Sequence, residues 1–298
     1  MKHNFARHTA APIIAAFIWG TAFAAQSICA DHIEPMTFNA LRGLIASITL
    51  FIIYLVYSKA VKRLAPPKQI PWKKLLPGSA LCGLFLALAS NMQQLGLGDT
   101  SAGKAGFITA LYIVIVPILG LFIGKKCDFK VWISVAVAVL GLHFLCITDS
   151  FTIAPGDFYV FICAILFGVH IMVIDKYTQS VEGILLSLGQ FIVVTILSGI
   201  GMIFFENPSI AEIQKCILPT LYVGIFSSGV AYTLQIIAMK GANPTKISLL
   251  LSLESVFAVV GGTFIGEKLS GREYIGCILM FGAVVLSQLP SKKENKPK

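Results

Sequence analysis

The chain has 298 residues, of which 56% are hydrophobic and only 12% charged, with a formal net charge of +9. Soluble domains carry about 25% charged residues, so a chain this apolar cannot cover a water-facing surface, and a soluble globular protein is excluded. The positive charge does not mark a nucleic-acid binder either, because the basic residues fall in short loops between apolar runs rather than along one face of a helix.

A bilayer core about 30 Å thick takes roughly 20 helical residues at 1.5 Å each. On that scale ten spans are predicted. The first five are Thr9 to Ala30, Thr37 to Tyr57, Leu75 to Gly96, Lys104 to Ile123 and Lys130 to Ile147. The second five are Gly156 to Lys176, Gly183 to Phe205, Cys216 to Ala238, Thr245 to Ile265 and Gly271 to Leu289. The first run resembles a secretory leader, but it is long for one and Ile28 suits the −3 position of a cleavage site poorly. It is read as the first helix.

The sequence repeats itself. Gly120-Leu121-Phe122-Ile123-Gly124-Lys125-Lys126 returns as Gly262-Thr263-Phe264-Ile265-Gly266-Glu267-Lys268, 142 positions on (262 minus 120). The same offset matches Lys104 with Lys246 and Gln93 with Gln235, while Trp19-Gly20 answers to Phe167-Gly168. The expected organisation is a first repeat over 9–147, a second over 155–290 and a basic tail at 291–298. Five spans per repeat is odd, so tandem copies insert with opposite orientations. With a cytoplasmic N-terminus, 18 of the 23 Lys and Arg residues fall on the cytoplasmic side and four on the other. That bias is what the positive-inside rule requires of a cell-membrane protein with both termini cytoplasmic.

The stretches Ile18-Trp19-Gly20, Ala40 to Ala46, Thr100 to Pro117 and Leu249 to Gly271, in this order and spacing, resemble the ten-helix EamA branch of the drug/metabolite transporter superfamily. The resemblance implies an all-α membrane bundle: two inverted five-helix repeats around a central cavity, the fifth and tenth helices peripheral, small organic solutes as cargo. Inverted repeats of this kind place the solute near the bilayer midplane, with alternating access. One departure concerns Ser255, where the family usually has proline; without it the ground for a helix break beside Glu254 is lost.

Intramembrane polar residues are the candidates for transport, because each costs free energy in lipid unless it meets protein or water. Glu254 reads either as a cavity carboxylate for a proton or cationic group, or as a paired acid holding helices together. Arg42, whose repeat counterpart is Gln190 (190 minus 42 is 148), reads as a fork for a substrate carboxylate or as a side chain snorkelling outward. Asn91, Gln93 and Gln94 face Tyr232 and Gln235 as matched polar clusters; Trp19, Gln26, Asn39, Tyr112 and His170 are further cavity candidates. His143 falls in a peripheral span and reads as structural. Lys104 and Lys246, at equivalent helix starts on opposite faces, are expected either to gate the pathway or to snorkel. Gly120, Gly124, Gly262 and Gly266 form GxxxG pairs, expected to pack helices within the bundle or between protomers of a homodimer. Pro117 is expected to kink its helix, asymmetrically because its counterpart is Val259.

No P-loop, metal-ligand cluster or cofactor motif is present, and the seven cysteines are scattered singly, so no metal or cofactor is expected. The function these features indicate is secondary transport of a small organic solute, an amino acid or related metabolite, with export favoured and protons as a candidate coupling ion. The other readings are a membrane scaffold or receptor that transports nothing, and an intramembrane lipid-modifying enzyme, for which no nucleophile–base pair stands out.

Overall fold

In a computed structural model, residues 5–62, 69–100, 102–125, 127–146, 154–263 and 270–289 are described. All ten expected segments are helical, and there is no strand among the described residues. They are α1 (Ala11–Ala30), α2 (Pro35–Lys62), α3 (Trp72–Gly96), α4 (Ala102–Ala110 and Tyr112–Phe122) and α5 (Phe129–Cys146). The second set is α6 (Pro155–Thr178), α7 (Gly183–Phe205), α8 (Ile217–Tyr222, Val223–Ala231 and Tyr232–Met239), α9 (Pro244–Leu251 and Glu254–Thr263) and α10 (Gly271–Gln288). A short helix, Ile210–Lys215, precedes α8. Among the described residues, seven stretches, α1 to α4 and α6 to α8, are each long and apolar enough to cross a bilayer. α5 is a shorter apolar helix, α9 is interrupted, and α10 opens on Arg272 and Glu273.

Polarity is inverted relative to a soluble protein. Phe51, Val56, Leu76, Ile203, Phe204 and Leu218 face outward, whereas Arg42, Gln190, His170, Gln235 and Glu254 are buried. Such an exterior is stable only against lipid.

The packing follows a two-fold relation between repeats. α2 packs on its counterpart α7, and α5 on its counterpart α10. α3 against α6 is answered by α8 against α1, and α4 against α6 by α9 against α1. α5 and α10 pack mainly on each other and otherwise touch α4 and α9, which leaves them peripheral. His143 lies in that seam, where Arg272 meets its ring nitrogen at 3.3 Å.

Lipid supplies no hydrophobic drive between helices, so tight seams depend on small residues. A Cβ on Gly20 of α1 would stand 2.5 Å from the Glu254 carbonyl oxygen and 2.8 Å from the Ala258 amide nitrogen of α9. At the equivalent Gly168 of α6, it would stand 2.6 Å from Cγ2 of Ile115 in α4. These two glycines, with others such as Gly83, Gly96 and Gly156, allow the repeats to approach closely. Within the bundle the expectation for Gly120 and Gly124 is overturned: a Cβ on Gly120 would meet nothing nearer than Lys125 Cβ at 3.7 Å, and one on Gly124 nothing within 4 Å. Their role is to end α4. Gly124 has φ +75°, its amide donates to the Leu121 carbonyl, and the Lys125 amide donates to the Gly120 carbonyl. That is a Schellman stop, which needs a residue tolerant of positive φ. Gly266 and the tail 291–298 lie outside the described residues.

The expected kink at Pro117 is also displaced. Pro117 sits inside the second piece of α4, and the interruption comes at Leu111. α9 is interrupted at Ser252 and Leu253, the latter being the counterpart of Leu111 at the 142 offset. Both breaks tighten to i→i−3 bonding: Leu111 donates to Ile108 and Val114 to Leu111, while Leu253 donates to Leu250 and Ser255 to Ser252. The breaks are therefore symmetric and need no proline, so Ser255 does not prevent one.

Gly20→Ala is expected to cost about 1–3 kcal/mol, because the new methyl meets backbone that cannot rotate away. Gly120→Ala should be close to neutral. Thermal unfolding of the two detergent-solubilised variants checks this; equal midpoints would refute the close seam.

Candidate functional site

Fourteen residues line a central cavity with about 480 Å³ of space not filled by atoms. α1 contributes Trp19, Phe23 and Gln26 at i, i+4 and i+7, one face of a helix. α4 contributes Thr109 and Tyr112 on either side of its break, and α9 contributes Leu251 and Glu254 across its own. Phe167 and Ile171 of α6 supply an apolar wall. Gln93, Arg42, Ser227, Tyr232 and Gln235 complete the lining from α3, α2 and α8.

Ten of these residues form repeat-related pairs. Trp19 answers to Phe167 and Phe23 to Ile171 at offset 148 (167 minus 19); Gln93 answers to Gln235, Thr109 to Leu251 and Tyr112 to Glu254 at offset 142. The cavity therefore sits on the pseudo-two-fold axis. Its signature contact is a hydrogen bond from the Tyr112 hydroxyl to Glu254 Oε1 at 3.3 Å, joining equivalent positions of the two repeats. At that length the bond is weak, since O–H···O bonds centre near about 2.7–2.8 Å. Gln26, Arg42, Ser227 and Tyr232 line the cavity without a repeat partner in it.

Arg42 is held by the Gln26 side-chain oxygen, 3.1 Å from Nη1, and by the Phe38 ring, 5.5 Å from the guanidinium carbon. Its Nε has no partner among the described residues. Behind Gln26, Gln94 donates to the Gln26 carbonyl at 2.9 Å. Arg42 is thus 3% exposed and turned into the protein, which overturns the snorkelling alternative. Glu254 is 4% exposed, and no ion pair joins it to Arg42. A guanidinium and a carboxyl group thus share one cavity without bonding each other. A wide π-helical stretch in α8, Val223–Ala231, loosens the backbone ladder on the far wall, and the Ser227 carbonyl accepts from the Trp19 indole at 3.3 Å. The Trp19 and Tyr232 rings meet at 4.8 Å between centroids, tilted 60° to each other.

The structure does not bring every candidate to this cavity. Asn91 accepts from Asn39 at 2.9 Å and donates to Ser198 at 3.0 Å and to the Ala87 carbonyl at 2.8 Å, tying α3 to α2 and α7. Gln94 supports Gln26 from behind. His170 Nε2 donates to the Gln190 side-chain oxygen at 3.0 Å, behind the wall formed by Phe167 and Tyr232. Lys104 pairs with Asp157, which also accepts from Thr100 and from the Ala154 amide. At the other end of α4, Lys125 pairs with Asp175. Both contacts fasten α4 to α6. Lys246 forms no ion pair among the described residues; its amide is capped by Asn243 at the start of α9. The polar lining residues the sequence left unmarked are Thr109 and Ser227, both small hydroxyls that read as ordinary helix-packing residues.

No group of three or more His, Cys, Asp or Glu residues that could hold a metal occurs among the described residues. An apolar exterior, ten long helical segments among the described residues and an axial cavity lined by a buried arginine and a buried glutamate define a multi-pass membrane transporter. The chain belongs to the EamA-like transporter family, which it matches over residues 10–147 and 154–289, and so to the drug/metabolite transporter superfamily. It is similar to a protein of Archaeoglobus fulgidus described as an uncharacterized transporter, 29% identical over 93% of this chain and 84% of that one. It is also similar to the uncharacterized transporter YwfM of Bacillus subtilis, 23% identical over 95% and 94% of the two chains. Protein PagO of Salmonella typhimurium is 23% identical over 83% and 81%. A solved crystal structure shares the fold with a TM-score of 0.78 at 20% identity, covering 97% of this chain and 99% of that one. The family and these relatives point to a transporter of small molecules rather than an enzyme.

Asn91→Leu removes two bonds between helices and one within α3, and is expected to cost about 1–2 kcal/mol of stability in membrane or detergent. Gln235→Leu, at a cavity position whose Oε1 already has no partner, should cost less than half of that. Midpoints of thermal unfolding for the two variants decide the point.

Proposed function

We propose that the protein is a secondary transporter of a zwitterionic organic solute, an amino acid or close relative, working by alternating access across the cell membrane. The observation that carries this reading is the presence of a basic and an acidic side chain, Arg42 and Glu254, buried in one cavity without bonding each other. A buried charge needs a partner. A solute carboxylate at the Arg42 fork and an ammonium group at Glu254 satisfies both at once. Trp19, Phe23, Phe167 and Tyr232 then offer apolar and aromatic surface to the solute side chain.

Glu254 also serves as the site of a coupling proton in this reading, because a carboxyl held by one weak hydrogen bond is free to exchange with the solute's ammonium group. Lys104 with Asp157 closes one end of the pathway, and Lys246 acts at the other. The bias of basic residues among the loops supports a cytoplasmic position for both termini. Export is the working direction.

Thermal stabilisation of the purified protein by a panel of amino acids, their N-acetyl and methyl-ester derivatives and neutral analogues tests the site. Free zwitterions should stabilise at least fivefold more effectively, by apparent affinity, than either blocked form. Hits confined to neutral or singly charged solutes would sink the zwitterion reading, and stabilisation without flux in proteoliposomes would make the chain a receptor. Glu254→Gln should lower pH-gradient-driven flux at least tenfold and flatten its pH dependence. An unchanged profile would remove Glu254 from coupling.

A further inference from the structure

The two charges are not the cavity's only candidates for gripping a solute. α2 is tied to α1 by Arg42 and Gln26, and in the second repeat α7 is tied to α6 by Gln190 and His170. Gln190 is the counterpart of Arg42, and His170 lies one turn from Ile174, the counterpart of Gln26. Each repeat therefore holds a buried polar pair at the same place in its fold, but only the first pair reaches the cavity.

The second pair is unfinished. His170 and Gln190 are both 0% exposed. Once the histidine has donated to the Gln190 oxygen, His170 Nδ1 and Gln190 Nε2 have no partner among the described residues. One is an acceptor and the other a donor, so the pair keeps hydrogen-bonding capacity that its present neighbours do not use. Their cover is Tyr232, whose ring lies 6.2 Å from the His170 ring in an edge contact and which itself lines the cavity. The counterpart of Tyr232 in α3 is Ser90, too small to form such a cover over Arg42.

In a transporter made of inverted repeats, the opposite-facing state arises when each repeat takes up the arrangement the other has now. Axial positions such as Gln93 and Gln235 stay in the lining, and off-axis positions exchange. We infer that Gln190 and His170 form the half of the solute site presented in the opposite-facing state, in the place Arg42 and Gln26 occupy in this one. The inference rests on the alternating-access reading above. It gives the two states unequal grips: a guanidinium holds the solute's anionic group on one side, and a neutral amide–imidazole pair accepts it on the other. The second state is the release state.

The test uses single cysteine replacements in the full-length protein, labelled with a membrane-impermeant methanethiosulfonate in right-side-out and inside-out vesicles, the unmodified chain serving as blank. Gln235→Cys should react from both sides. Arg42→Cys should react at least tenfold faster from one side and Gln190→Cys at least tenfold faster from the other. If Gln190→Cys does not fold, His170→Cys carries the same expectation. With Gln235→Cys reactive from both sides, a residue 190 cysteine that is unreactive, equally reactive from both, or reactive from the Arg42 side overturns the inference alone. Gln235→Cys reactive from one side only removes alternating access itself, and this inference with it.

Discussion

The hydrogen bond between Tyr112 and Glu254 joins one position to its own repeat counterpart, so it has to lie close to the axis that relates the two halves. The surrounding geometry follows from that placement. Both helices break immediately before the bonded residue, at Leu111 and at Leu253, and each broken helix is pressed against a partner that carries glycine at the contact, Gly168 for α4 and Gly20 for α9. The close seams set the depth of the axis and the breaks open space beside it. The cavity is what remains when four helices converge on one weakly bonded pair.

Lipid imposes the second constraint. Polar groups in the bilayer either find partners within the protein or face water and solute. Asn91, Gln94 and Asp157 take the first course, each bridging neighbouring helices. Arg42 and Glu254 each keep one side-chain bond, to Gln26 and Tyr112, and also line the cavity. The division is one of register rather than residue type: Asn91 and Gln93 are two residues apart on α3, about 200° around the helix, and only Gln93 reaches the cavity.

That is also why the sequence carried some of this structure and not the rest. Ten apolar runs of bilayer length announce ten helices, and an odd number per repeat dictates inversion. The polar residues Arg42, Glu254 and Gln235 stand out in those runs because each is costly there. Helix rotation, however, is set by packing partners far away in the chain, so Asn91 and His170 could not be separated from Gln93 and Tyr112 beforehand. The glycines show the same limit. GxxxG at 120 and 124 has the pattern of a packing face, yet Gly124 ends its helix, while Gly20 and Gly168 make the close seams without any such spacing. Pro117 is a visible kink signal, but the chain breaks where tertiary contacts allow i→i−3 bonding, six residues earlier.

α4 is fastened to α6 at both ends, through Asp157 and Asp175. The positions equivalent to those aspartates are Thr9, just before α1, and Ser27 within it, so the matching seam between α1 and α9 cannot be fastened in the same way. A duplicated protein with identical halves would spend equal time facing each side of the membrane. Partly exposed ion pairs contribute up to about 1 kcal/mol each, and every 1.4 kcal/mol is a tenfold population ratio. Under the proposed alternating-access mechanism, two of them on one seam would give the empty protein a resting orientation, written into its own framework rather than imposed by the gradient across the membrane.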